Sequence, residues 1–143
     1  RGRTSRAGRS TAAPKGTRIA VVAGDGAAAY WLGEIETAVR WKLPITFVIL
    51  NNASFGWIVQ EERARRFVKE STFEPVDFAA IGVASGTGGA RAHSIEEVSA
   101  GLDQALSQEG PFVLDVLSSE KATCTVKYAS INPEASSTLG VYS

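Results

Sequence analysis

Methionine is absent from this sequence, and cysteine and histidine occur once each, as Cys124 and His93. A single cysteine excludes an internal disulfide. With no secretory leader in view, a reducing, cytoplasmic setting is the simplest fit. No apolar run approaches the roughly 20 residues that a membrane-spanning helix needs, so no membrane part is expected. Cys124 has no histidine near it in sequence, and His93 stands just ahead of a helix start, where a surface role suits it. Residues 82–86, GVASG, have their serine one place too late for a nucleophile elbow. No residue of the chain is therefore given a catalytic role.

Acidic residues are missing from the first eighteen positions, which hold Arg1, Arg3, Arg6, Arg9, Lys15 and Arg18 out of a total of 15 cations. Such an arm can suit nucleic acid. It has no aromatic residue and no apolar period, however, so residues 1–17 read as an unstructured tail and no nucleic-acid partner is expected. An arginine at position 1 and the absence of methionine lead us to expect a fragment of a longer protein. The rest can fold: with 44% hydrophobic residues in 143 positions, the chain can bury one ordinary core.

The elements alternate. Residues 18–23, RIAVVA, form a β-branched apolar run that the following glycines stop. Residues 27–42 follow a helical period, with Trp31, Ile35, Ala38, Val39 and the stem of Lys42 on one stripe, and Pro44 ends it. Residues 45–50, ITFVIL, are apolar without alternation, the mark of a strand buried on both faces of a parallel sheet. A helix is expected from about Phe55 to Arg66, another from Pro75 through VDFAAIGVAS, and a weak strand near residues 90–92. Residues 94–107 read as an amphipathic helix. Ser94 and Glu97 make its capping box, and Ile95, Val98, Leu102, Ala105 and Leu106 make its stripe. Residues 112–117, FVLDVL, are the last strand, and 118–143 an irregular tail. The pattern implies an α/β fold, a doubly wound parallel sheet with helices on both faces. Its folded unit would span residues 18–117.

In such a sheet, ligands sit beyond the C-terminal strand ends. Two corners meet that description: Gly24-Asp25-Gly26 after the first strand and Asn51-Asn52 after the second. The glycines allow a ligand to approach the backbone, and the helix start that follows suits an anion. Asp25 would repel a phosphate unless a cation lay between them, which points to Mg²⁺, with Asn52 able to supply a neutral oxygen. Alone, each corner reads first as a plain turn or capping loop; what carries the ligand reading is their joint occurrence, each directly after a strand with one crossover helix between them. Residues 24–29 also satisfy the loose pattern GxGxxA of dinucleotide-binding loops, although the second strand then ends in Asn51-Asn52 where an acid is expected.

Residues 24–58, GDGAAAYWLGEIETAVRWKLPITFVILNNASFGWI, resemble the diphosphate-binding domain of thiamine-diphosphate enzymes. They are similar in particular to acetolactate synthases, benzoylformate decarboxylases and related 2-oxo-acid lyases and transferases (decarboxylases and carboligases). PVDFAAIGVASG and GPFVLDVLSSE extend the likeness across roughly residues 14–130. The resemblance implies thiamine diphosphate and Mg²⁺ as cofactors and a 2-oxo acid as substrate. It implies Asp25, Asn52 and the Ser54 carbonyl as metal ligands, with two diphosphate oxygens and a water. Gly26 and Ala27 would offer backbone N–H groups to the diphosphate beside Gly24, and Asn51 would brace the loop. It implies a pyrimidine-binding domain on another chain or in a missing segment, which supplies an activating glutamate that no glutamate here can replace. The parent enzyme would be a homo-oligomer and the isolated chain inactive. Residues 1–13 do not follow the family pattern, which supplies a further strand and helix there, so the resemblance implies a domain truncated on its N-terminal side. Trp57 is a candidate for the substrate pocket.

Overall fold

The computed structural model describes residues 14, 16–56, 58, 59, 71–119 and 121. Their elements run β1 (Ile19–Gly24), α1 (Asp25–Ala29), α2 (Gly33–Arg40), β2 (Ile45–Asn51), α3 (Phe78–Ala84), β3 (Gly88–Ala92), α4 (Ile95–Ser107) and β4 (Phe112–Leu117). The four strands form one sheet in the order β1-β2-β4-β3, and every neighbouring pair is parallel. All C-terminal strand ends therefore lie along one edge. β3 lands two places beyond β2, and β4 returns to fill the gap.

The two faces are packed differently. Phe47, Ile49 and Val113 meet Ala28, Trp31, Ile35, Ala38 and Phe78 from α1, α2, α3 and the turns beside them. On the opposite face, Phe112 and Leu114 meet Ala105 of α4. Helices thus lie on both faces, as expected. Gly101 lets α4 approach closely, since a Cβ there would stand 2.5 Å from a Leu114 methyl. Arg18 fastens the start of β1 to the end of α4, donating to the carbonyls of Ala105 (3.0 Å) and Gln108 (3.2 Å). A cation there complements the negative end of the helix.

The sequence-based helix over 27–42 is two helices. The first begins earlier, at Asp25, and the chain breaks at residues 30–32. Trp31 N–H reaches back only three residues, to Ala28 (3.0 Å), and Glu34 does the same to Trp31 (2.9 Å), the tight spacing of a 3₁₀ turn. Gly33, a poor helix former, stands at the restart. The break lets Trp31 stack on Phe47 with ring centroids 5.2 Å apart. Lys42 leaves the proposed stripe altogether. It takes φ 47° at an αL turn and is exposed, while Leu43 enters the core and bonds back to Ala38 (2.9 Å).

β2 runs one residue longer than expected, so that Asn51 is its last residue. Its burial alternates, and Leu50 is 45% exposed, as is Val22 of β1 at 63%. Among the described residues α4 packs on β3 and β4, and of the second face of β1 and β2 Val48 reaches that cluster while Val22 and Leu50 stay exposed. The α4 stripe is narrower than the periodicity suggests: Gly101 and Ala105 are buried, whereas Ile95, Leu102 and Leu106 are exposed. Ser94 caps Glu97 N–H as expected (3.2 Å), but the Glu97 carboxylate takes the N–H of His93 (2.6 Å) rather than that of Ser94. α3 starts at Phe78, not Pro75. Asp77 caps it by accepting from Ala80 N–H (2.8 Å). β1 starts at Ile19 rather than Arg18, and the weak strand is the full five residues of β3. The expected helix of residues 55–66 lies largely outside the described residues, as do most of both tails, Cys124 and the side chain of Trp57.

Candidate functional site

β1 and β2 run in register from Ile19 opposite Ile45 to Gly24 opposite Leu50, so their ends bring Asp25 and Asn52 together. Asp25 is 3% exposed. One carboxylate oxygen accepts the N–H of Gly26 (2.7 Å) and the other that of Asn52 (3.0 Å). Among the described residues no basic side chain pairs with it. Its partners among the described residues are neutral N–H donors alone, so no cation among those residues is matched to it.

The second corner is a wound loop. The Asn51 side-chain oxygen takes Ala53 N–H (3.3 Å), and the Asn52 oxygen takes both the N–H (3.2 Å) and the hydroxyl (3.0 Å) of Ser54. These are Asx-type turns. They hold Ala53 at φ 52°, a left-handed conformation that costs a non-glycine residue energy. The loop pairs with a second segment through Phe55 N–H to Ser71 (2.9 Å) and Phe73 N–H to Ala53 (3.0 Å). Phe55 lies edge-on to Phe73 at 5.4 Å. Phe55 also covers Gly26, where a Cβ would stand 2.5 Å from the ring. Between residues 24–27 on one side and Ser54, Phe55, Gly56 and Ile58 on the other lies an open cavity of about 270 Å³.

Behind the loop is a buried polar cluster. The Asn51 amide donates to Asp115 of β4 (2.9 Å) and to the carbonyl of Val76 (2.8 Å). Asp115 also accepts Phe78 N–H (3.2 Å) and faces Arg91 at 3.4 Å, while Arg91 bonds Asp77 at 3.1 Å. Burial pushes the Asp115 carboxyl above its ordinary range, against the opposing pull of Asn51, Phe78 N–H and Arg91.

The structure thus brings Gly24, Asp25, Gly26, Ala27 and Ser54 to one cavity. Asn52 meets Asp25 through its backbone, while its side-chain oxygen turns into its own loop. Gly26 N–H is engaged by Asp25. His93 is exposed on the far side of β3 in sequence and joins neither corner. Asp115, Arg91 and Phe55 were not singled out from sequence. The usable signal for Asp115 was a carboxylate inside the apolar run FVLDVL, and for Arg91 a cation in a small-residue strand.

Residues 5–116 match the family described as thiamine pyrophosphate enzyme, C-terminal TPP binding domain, and the chain belongs to that family. YdaP of Bacillus subtilis (strain 168), which carries a provisional name as a thiamine pyrophosphate-containing protein, is 36% identical over 109 residues, 76% of this chain and 19% of its own length. An acetolactate synthase of the same organism is 30% identical over 103 residues, 71% of this chain and 18% of its own. The chain spans about a fifth of these relatives. Among solved structures, a thiamine diphosphate-dependent 4-hydroxybenzoylformate decarboxylase of Rhodococcus jostii RHA1 matches with TM-score 0.72 at 22% identity, over 79% of this chain and 22% of that one. A benzoylformate decarboxylase of Polynucleobacter necessarius matches with TM-score 0.68 at 23% identity, over 74% and 20%. Both likenesses are of fold. The family displaces the dinucleotide reading of residues 24–29. No described helix is long and apolar enough to cross a membrane.

Proposed function

We propose that residues 18–117 hold the diphosphate end of thiamine diphosphate, with Mg²⁺, in a 2-oxo-acid decarboxylase or carboligase of the acetolactate synthase kind. The observation that carries this is Asp25: a buried carboxylate at a strand end, bonded only by N–H groups and facing a cavity. Among the described residues no group of three or more His, Cys, Asp or Glu gathers to hold a metal. That donor set fits Mg²⁺, which takes one or two protein carboxylates and completes its shell from phosphate oxygens and water. Asp25 would ligate the ion directly. Asn52 would do so by turning its side-chain oxygen off Ser54, and Ser54 by its carbonyl. Gly24, Gly26 and Ala27 line the cavity where the diphosphate would lie, and with no large side chain they leave room for it.

When bound, the cofactor's thiazolium supplies an electron sink for decarboxylation of a 2-oxo acid. The chain's own part would be to fix the metal between Asp25 and the diphosphate and to seat the diphosphate against Gly24, Gly26 and Ala27. A pyrimidine-binding domain from another chain or segment would complete the site in a homo-oligomeric, cytoplasmic parent enzyme, so the 143-residue chain alone is expected to bind without turning over. Calorimetric titration of the chain with thiamine diphosphate tests this. Heat of binding should appear with Mg²⁺, vanish with EDTA and be missing in Asp25→Ala. A folded chain that binds nothing would overturn the reading.

A further inference from the structure

β4 is a central strand, and Asp115 is wholly buried in it. Charges in such positions are costly, and a hydrophobic residue of similar size commonly serves stability as well or better. The surroundings show what the carboxylate does instead. In register it lies beside Ile49 of β2 and Arg91 of β3. Arg91 stands between two carboxylates, 3.4 Å from Asp115 and 3.1 Å from Asp77. One Asp115 oxygen receives the Asn51 side-chain amide, the other the N–H of Phe78.

Asn51 is held at both ends of its amide. Its nitrogen has two acceptors, Asp115 and the Val76 carbonyl, and its oxygen takes Ala53 N–H. This fixes which way the amide faces, because a flip would set its oxygen against two acceptors. The Asn51 oxygen then winds residues 51–53 into the turn that leaves Asn52 N–H on Asp25. The link from β4 to Asp25 is continuous: Asp115, Asn51, the Ala53 turn, Asn52 N–H, Asp25.

We propose that Asp115 is a positioning residue for the cofactor corner: held by Arg91, it orients the Asn51 amide and so sets the loop that carries Asn52 and Ser54. Its consequence for cofactor binding rests on the reading of Asp25 as the metal carboxylate. Supporting groups of this kind commonly change metal affinity 10- to 100-fold when altered.

The test uses the full chain as wild type and as Asp115→Asn. An asparagine here cannot satisfy both the Asn51 amide and Phe78 N–H as an acceptor. Amide hydrogen exchange at Ala53 and Asn52 should quicken about 10-fold or more relative to Phe47, a core reference, and the apparent Kd for thiamine diphosphate with Mg²⁺ should rise about 10-fold or more. Unchanged relative exchange in a folded variant overturns the proposal, as does quickened exchange with an unaltered Kd. If the wild type binds no cofactor, the site reading falls by itself and the exchange data still decide whether Asp115 sets the loop. Should Asp115→Asn fail to fold, the wild type suffices. Slow exchange of the Asn51 side-chain protons supports the proposal, and exchange at the rate of a free amide overturns it.

Discussion

Asp25 accepts the backbone N–H of Asn52 at 3.0 Å, joining two corners 27 residues apart by a single bond. The bond ties the carboxylate that lines the cavity to the conformation of the Asn51-Asn52 loop, making the two corners one unit.

Ligand-dependent stability should follow from that unit. At a hundred times Kd, thiamine diphosphate with Mg²⁺ should stabilise the wild-type chain by about 2.7 kcal/mol. Asp25→Asn, which keeps the shape but not the charge, should show no ligand-dependent shift. Thermal unfolding with and without Mg²⁺ measures both.

Gly26→Ala pits two effects of similar size against each other. Alanine in a helix is favoured by about 1 kcal/mol over glycine. Its Cβ would stand 2.5 Å from the Phe55 ring, and overpacking costs about 1–3 kcal/mol. The substitution should be destabilising by about 1 kcal/mol in the wild type and stabilising in a Phe55→Ala background. A double-mutant cycle by urea denaturation reads the difference.

Ala53→Gly should raise stability by about 0.5 kcal/mol. The left-handed backbone at φ 52° costs an L-residue about 1–2 kcal/mol, and the extra freedom of glycine in the unfolded chain takes back about 0.5–1 kcal/mol. The denaturation midpoint should shift upward with an unchanged slope.

The raised carboxyl of Asp115 makes a pH prediction. The folded chain holds this proton more tightly than the unfolded chain does. Its contribution is therefore fully present below the ordinary aspartate value of 3.8 and is lost as pH rises through the raised value. The stability of wild type relative to Asp115→Asn should accordingly fall as pH rises from about 3.8. A flat or rising difference in a pH series of urea denaturations would contradict it.

Three of the four strands were legible because Ile, Val, Leu and Phe crowd into the short runs of β1, β2 and β4, the first two stopped by glycine and asparagine; β3, GGARA, has no such run and showed only weakly. The two corners were legible only as a pair, since glycines beside a carboxylate and paired asparagines are each common in turns, and their placement after successive strands is what set them apart. What escaped the pattern was set by tertiary packing. The helical period runs unbroken through residues 30–32, yet the chain breaks there to stack Trp31 on Phe47. Leu102 and Leu106 look like core residues on a helical projection, but Gly101 draws α4 so close to Leu114 that the buried stripe narrows. Asp115 could be seen as an oddity in its strand, but its partners lie 64 and 37 residues away and periodicity does not reach them.

The exposed Val22 and Leu50 bear on how the chain behaves in a tube. Val22 and Leu50 present apolar surface beside an edge strand, on a molecule whose formal net charge at pH 7 is zero. Neither colloidal repulsion nor a charged edge then keeps two copies apart. Concentrated preparations at neutral pH should scatter light before those held a unit or two away, and a lysine at position 22 should extend the clear range without disturbing either corner.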